Sequence, residues 1–408
     1  WGGQLVESKI LILEAEAAYY ANPQTARTLA FVLIIVVLIA RGSPLPIRGE
    51  LIERLPGLGS GRVRPVPVLG SLAAAILLVQ VVLPLDIVRA TTATALVAVM
   101  VLSLVVVTGL GGQIALGQYA IGGVGALVAG KLIADAGWGY IPAVLGGVAV
   151  AVVIGVAFAL PALRTRGVNL AVVTLGMGTA LQGSVFRNED VVGRFGITIG
   201  PQEVLGVRLD AQVEPRTYAV LAVCAFAVLA VMVATLRRSV AGRRMIAVRS
   251  NERAAASLGI SVVGAKIYAF AVAAGIAGLG GILIGFQAHT VLMGQFDAFN
   301  SILIFSYGLI GGIGYAIGPA LGSSLTPDGL APVLGDKMPF YDLAQLATLA
   351  GGIGIVVILY LRRFIPESPR WLMTHGRVAE GELIVSQIEK LAAPAPDAPP
   401  LTRIALTD

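Results

Sequence analysis

The chain has 408 residues, of which 57% are hydrophobic and 13% charged, and its mean hydropathy is +0.87. Soluble domains carry nearer a quarter of charged residues, so these values exclude a water-soluble globular fold and indicate a polytopic membrane protein. The formal charge of +6 sits in short arginine-rich segments beside apolar runs, with no basic stripe interleaved with aromatics, which argues against nucleic acid as a partner.

A span needs about 20 mainly apolar residues, because unpaired backbone groups in hydrocarbon are costly. The chain opens at Trp1 without the order of a signal peptide and is expected to be an internal piece of a longer product. Leu5–Tyr20 holds Glu7, Lys9, Glu14 and Glu16, which predicts an amphipathic or packed helix. Thr25–Ala40 is a short candidate span. Arg41, Arg48, Arg54, Arg62 and Arg64 then mark Arg41–Pro65 as cytoplasmic. Further spans are predicted at Val66–Leu85, Thr91–Leu110, Ile114–Ile133, Tyr140–Leu163 and Val168–Phe186, with Arg164 and Arg166 inside by parity. The Arg187–Arg216 loop falls outside. Thr217–Leu236 follows and contains the single cysteine, Cys224, which reads as a small packing residue.

The Arg237–Lys266 loop is cationic: Arg237, Arg238, Arg243, Arg244, Arg249, Arg253 and Lys266 face Glu252 alone, which places it in the cytoplasm. Within it Glu252 suits a helix start, Ala254, Ala255 and Ala256 favour helix, and Gly259 suits a stop. Local physics leaves two readings open, a solvated loop and a helix docked in a groove on a partner. Ile267–Gln287, Phe299–Leu325 and Leu343–Leu361 are the remaining spans. A single crossing by Phe299–Leu325 would put Arg362 and Arg363 outside, against the charge rule. The break at Gly311-Gly312-Ile313-Gly314, with Pro319 beyond it, predicts instead a re-entrant pair of half-helices. The fold class is therefore all-α and polytopic, with about nine to eleven transmembrane helices including that broken hairpin. Continuous rather than alternating apolar runs argue against a β-barrel.

Gly111, Gly112, Gly117, Gly122, Gly123 and Gly125 allow close helix packing, or a flexible translocation lining to which Gln113 and Gln118 offer amides. Gly281 and Gly285 need only packing. The two histidines, His289 and His375, are on opposite predicted sides and form no metal spacing or triad, so no catalytic residue and no metal site is proposed. There is no Gly-x-x-x-x-Gly-Lys-Ser/Thr phosphate loop, and no acidic residue lies inside a predicted span as an ion-coupled carrier would need.

Four segments carry a resemblance. Arg238–Ile260, Gly111-Gly-Gln-Ile-Ala-Leu-Gly-Gln-Tyr119, Leu163-Arg-Thr-Arg-Gly-Val-Asn-Leu-Ala-Val-Val-Thr-Leu175 and Gly308–Pro319 resemble, in order and spacing, the permeases of branched-chain amino acid ABC importers. In that family a Glu-x-Ala-Ala-x-x-x-Gly pattern docks on the ATP-binding subunit, and Glu252, Ala254, Ala255 and Gly259 match it, with Arg249 and Asn251 beside them. The resemblance implies a translocation path near Gly111, Gly112, Gln113, Gly117, Gln118, Gly311, Gly312 and Gly314. It also implies cytoplasmic ABC ATPase subunits holding ATP and Mg, a second permease subunit, and a periplasmic or lipoprotein solute-binding protein, all at a bacterial inner membrane. No cofactor is expected in this chain. Residues 1–61 are similar to the C-terminal end of the companion permease, and 62–363 form the permease domain. Residues 364–408 form a cytoplasmic, partly disordered tail in which Pro366-Glu-Ser-Pro-Arg-Trp-Leu372 resembles sugar-porter-type carriers. Rival readings are a urea or short-amide permease, a secondary carrier of the major facilitator type, and an inactive fusion fragment.

Overall fold

The computed structural model describes Gly61 and residues 63–337, apart from Arg166, Phe195 and Leu205. The elements expected at Leu5–Tyr20, Thr25–Ala40 and Leu343–Leu361, and the tail at 364–408 with His375, lie outside those residues.

Helix α1, Pro65–Leu77, starts at a proline and runs into a wider π-helical turn, Leu78–Val82. Helix α2, Leu85–Leu104, likewise ends in a π-helical turn, Val105–Leu110. It begins six residues before the expected Thr91, with Asp86 in its first turn, where a carboxylate complements the helix dipole. The third apolar run becomes helical only from Gln118, so α3 is Gln118–Ala134. Then come α4 (Tyr140–Ala162), α5 (Gly167–Leu181, extended by a π-helical turn Gln182–Phe186) and a single turn α6 (Glu189–Val192). After three short strands follow α7 (Pro215–Leu236), α8 (Val240–Ser250), α9 (Glu252–Ser257) and α10 (Val262–Gly285). The chain continues through α11 (Ala298–Gly311), α12 (Gly318–Ser323) and α13 (Leu330–Lys337). Among the described residues six helical runs are long and apolar enough to cross a membrane, and α3 and α11 are shorter apolar helices.

Helix α10 packs on α2, α3 and α4 to form the centre of the bundle. Lipid tails give no hydrophobic drive between helices, so close backbone approach has to supply the contact. At Gly281 a Cβ would overlap the Gly122 carbonyl, which places the α10 and α3 backbones in direct contact. Met100, Leu102, Ile121, Phe270 and Ile282 fill the space around that crossing and are fully buried. Helix α7 joins through α2 and through the Tyr218 hydroxyl, which donates to the Leu283 carbonyl at 2.5 Å.

The expected break in Phe299–Leu325 is present. Helix α11 stops at Gly312, whose φ is +95°, and α12 runs back antiparallel, with Gly311 against Gly318 and Gly322 against Tyr307. The return ends where the Leu330 amide donates to Thr94 Oγ1 of α2 at 3.0 Å.

The Arg187–Arg216 loop is more structured than its sequence suggests. Strands β1 (Ile197–Thr198) and β4 (Thr290–Val291) pair antiparallel, as do β2 (Gln202–Val204) and β3 (Val207–Leu209). Runs of two or three residues are too short to display alternation. This end of the bundle is pinned by the buried Asp210, whose Oδ2 lies 2.5 Å from His289 Nε2, while Oδ1 accepts from the Gln212 and Val213 amides at 2.8 and 3.2 Å. Burial alone would raise the Asp210 pKa, but the hydrogen bonds from His289 and the two amides outweigh it and hold the carboxyl below its ordinary range. A depressed carboxyl stabilises the fold above its unfolded pKa, and that contribution is lost as pH falls through the folded value. Thermal melts of Asp210→Asn should therefore lie below wild type at pH 7, with the gap closing as pH drops through the acid range. A gap independent of pH would rule out this carboxylate as the pin.

Candidate functional site

The site is built where the cationic loop meets the helix ends. Ser239 Oγ accepts from the Gly242 amide at 3.0 Å and starts α8, which buries Gly242, Met245 and Val248 on one face. Asn251 ends α8 in extended backbone and caps α9, its Oδ1 accepting from the Arg253 and Ala254 amides at 3.0 Å each. Gly259 closes α9 with a φ of +76°, and the Ile260 amide reaches back to the Ala255 carbonyl at 3.0 Å. Asparagine and glycine at these two positions thus set the length of the short helix.

The two faces of α9 differ. Ala255 points inward and is 2% exposed, whereas Arg253, Ala254, Ala256 and Ser257 face outward and Leu258 is 79% exposed. Glu252 also turns inward. Its Oε1 lies 3.0 Å from Lys266 Nζ, and Lys266 is 3% exposed at the start of α10. The same ammonium donates to the Ala162 carbonyl at 2.9 Å, at the C-terminal end of α4. Arg249 repeats the device on α2, its Nη1 donating to the Gly109 carbonyl at 2.6 Å. Cations at the carbonyl ends of helices are favoured by the dipole. Burial pulls the Arg249 pKa below the ordinary guanidinium value.

Gly112, with φ +67°, lies under the Arg249 side chain, where a Cβ would come within 2.7 Å of Arg249 Cγ. A Cβ on Gly109 would overlap the Ile313 carbonyl in the turn between α11 and α12. The structure therefore brings together Gly111, Gly112, Arg249 and the Gly311–Gly314 turn at the same end as α8 and α9. Sequence reasoning placed Glu252 and Ala255 at the docking surface; in the structure the Glu252 carboxylate turns inward to the Lys266 ammonium, and Ala255 is buried by the packing of α9. Lys266 had been seen only as part of the charge excess, and no local signal pairs it with a residue fourteen positions away.

Residues 87–326 match the family model described as branched-chain amino acid transport system / permease component. The chain belongs to this family. It is similar to the high-affinity branched-chain amino acid transport system permease protein LivM of Salmonella typhimurium strain LT2, at 26% identity over 71% of this chain and 72% of that protein. It is similar to LivM of Escherichia coli strain K12 as well, at 26% identity over 76% of this chain and 77% of that protein. No solved structure matches it. The chain is thus a multi-pass membrane protein and the permease subunit of an ABC-type importer.

Two glutamines of the permease stand apart from the tethered loop. Gln113 is buried, and its Oε1 has no hydrogen-bond partner among the described residues. Gln118, at the first turn of α3, is 2% exposed, and among the described residues neither atom of its amide has a partner. Gly117 beside it packs against Phe158, with the Thr174 carbonyl 2.9 Å from where a Cβ would sit. Buried amides without partners cost about 1–3 kcal/mol each, a cost that close packing by itself does not require.

Proposed function

We propose that this permease moves branched-chain or other hydrophobic amino acids inward across a bacterial inner membrane. In this reading the 237–266 loop is cytoplasmic, and the outward face of α9 seats on an ATPase subunit that binds ATP and Mg. A second permease subunit completes the pore, and a solute-binding protein delivers cargo at the end that carries the β-ladders. Alternating access follows when the ATPase pair closes and pushes α9, provided the two states differ in contact energy. We assign the translocation path to Gln113 and Gln118, supported by the unpartnered Gln113 Oε1 and Gln118 amide, which a solute or a second conformation would satisfy.

One observation carries the proposal. A short helix offers small side chains and Leu258 to the outside, while on its inner side Glu252 is paired with Lys266 of α10, which in turn bonds α4, and Arg249 of the preceding α8 bonds the Gly109 carbonyl after α2. Ala255→Arg would damage packing and test nothing about docking, so the informative changes are Ala254→Arg and Leu258→Asp. In the assembled transporter each should lower leucine uptake and solute-stimulated ATP hydrolysis by about tenfold or more, as loss of a central interface contact does. Full uptake in both variants would remove α9 from the mechanism. Labelling of Ala254→Cys from the periplasmic side would remove the orientation.

A further inference from the structure

Helices α1 and α7 are clasped at one end and parted at the other. At the clasped end the Arg216 guanidinium donates to three carbonyls of the π-helical turn that extends α1 and its cap, Val79 at 2.6 Å, Gln80 at 2.7 Å and Leu83 at 3.0 Å. Val79, Val88 and Ala219 close a small apolar cluster there. Towards the loop end the two helices leave a groove of about 790 Å³, walled by Val68, Leu72, Phe226, Ala227 and Ala230 and floored by Ile317. From residue 64 to 75 it runs roughly 16 Å at the rise of an α-helix.

The mouth of this groove is cationic. Arg64 lies on its wall and is exposed. Gly61 rests against the Arg237 and Arg238 side chains, 3.3 and 3.2 Å from where its Cβ would stand. Arg237 Nη1 is buried without a hydrogen-bond partner among the described residues, and Arg237 lines an adjoining cavity of about 180 Å³ that shares Ala234, Ala316 and Ile317 with the groove. Among the described residues none of these three arginines forms a salt bridge. A buried guanidinium nitrogen calls for an acceptor oxygen, and an anionic one gives the stronger bond. A free anion would leave the apolar groove unused, and a neutral lipid would leave the arginines unused. An apolar partner helix could pack on the small Ala227 and Ala230, but it would bring no anion to Arg64 and Arg237.

We propose that the groove between α1 and α7 binds an anionic diacyl phospholipid. The headgroup phosphate sits on Arg237 and Arg64, and one acyl chain lies along Val68, Leu72 and Phe226. Basic pockets between transmembrane helices on the cytoplasmic side are suited to such headgroups. The proposal needs only the membrane location and stands whether or not α9 meets an ATPase.

The test uses the full chain in neutral detergent, titrated with phosphatidylglycerol, with phosphatidylcholine of the same acyl chains, and with inorganic phosphate, while bound lipid is read by native mass spectrometry. Phosphatidylglycerol should be retained and should raise the melting temperature; the other two should do neither. Arg64→Gln and Arg237→Gln should each weaken retention about fivefold, the effect of one basic contact near the headgroup. Arg64 is exposed, so its variant decides the matter even if Arg237→Gln does not fold. Ala227→Trp should expel the lipid with every arginine in place. Equal binding of the two lipids, phosphate matching phosphatidylglycerol, or unaltered retention in Arg64→Gln would overturn the proposal. So would cross-linking of Ala227→Cys to a second permease subunit with no lipid retained.

Discussion

Replacing Lys266 with methionine is expected to cost about 3–5 kcal/mol of stability, the range for removing one member of a buried ion pair. Lys266 is 3% exposed and answers both Glu252 at 3.0 Å and the Ala162 carbonyl at 2.9 Å. Its loss leaves the Glu252 carboxylate buried without its ammonium. Adding Glu252→Gln to Lys266→Met should restore much of the stability, since the uncompensated charge is then gone. Function should not return with it. In the double variant α9 keeps its Asn251 cap but loses its tie to α10, and α10 its tie to α4, so on the proposed function ATP hydrolysis in the assembled transporter should persist while solute uptake falls. Melting temperature in detergent and uptake in proteoliposomes, measured on all three variants, separate the two effects. Recovery of uptake along with stability would reduce the pair to a structural one.

Gly281→Ala is expected to be nearly as damaging, although it adds one methyl group. That Cβ would overlap the Gly122 carbonyl, and backbone atoms cannot rotate aside as a flexible side chain can. Overpacking in well-packed cores costs typically about 1–3 kcal/mol, and here α3 and α10 must separate along their whole crossing. The control is Gly70→Ala in α1, where a Cβ meets nothing within 4 Å. Removing a glycine from an exposed helix interior should be neutral or stabilise by up to about 1 kcal/mol. Paired melts of the two variants test whether position, rather than the loss of a glycine, decides the outcome.

The contrast between these sites bears on what the sequence alone could convey. The apolar runs were legible because about 20 residues without a helix-ending signal leave few alternatives, and the break at Gly311–Gly314 was legible because glycines there met a charge rule that a single crossing would violate. The Asn251 cap emerged only in the structure, whereas Glu252 and Gly259, as an acidic helix start and a glycine stop, announced the bounds of α9. Its orientation was not announced. Three consecutive alanines look alike in a sequence, and only the packing of α9 beside α10 makes Ala255 the inner one. The same holds for the partners of Glu252, Arg249, Arg216 and Asp210. The partners of Arg249, Arg216 and His289 lie far away in the chain and that of Glu252 on the next helix, and in none of them does a local spacing encode the contact. The two-residue strands were invisible for a different reason: they exist only as a pair, β1 with β4, and neither has a pattern by itself.

The anchors beneath α9 have a property that follows from where they end. Arg249 and Lys266 each terminate on a main-chain oxygen, of Gly109 and of Ala162. Every amino acid supplies that atom, so sequence drift in the receiving helices leaves both acceptors in place. These two contacts are vulnerable at their donors, and the third, between Lys266 and Glu252, at both ends. The side chains around Gly109 and Ala162 can therefore change while both main-chain anchors stay in place.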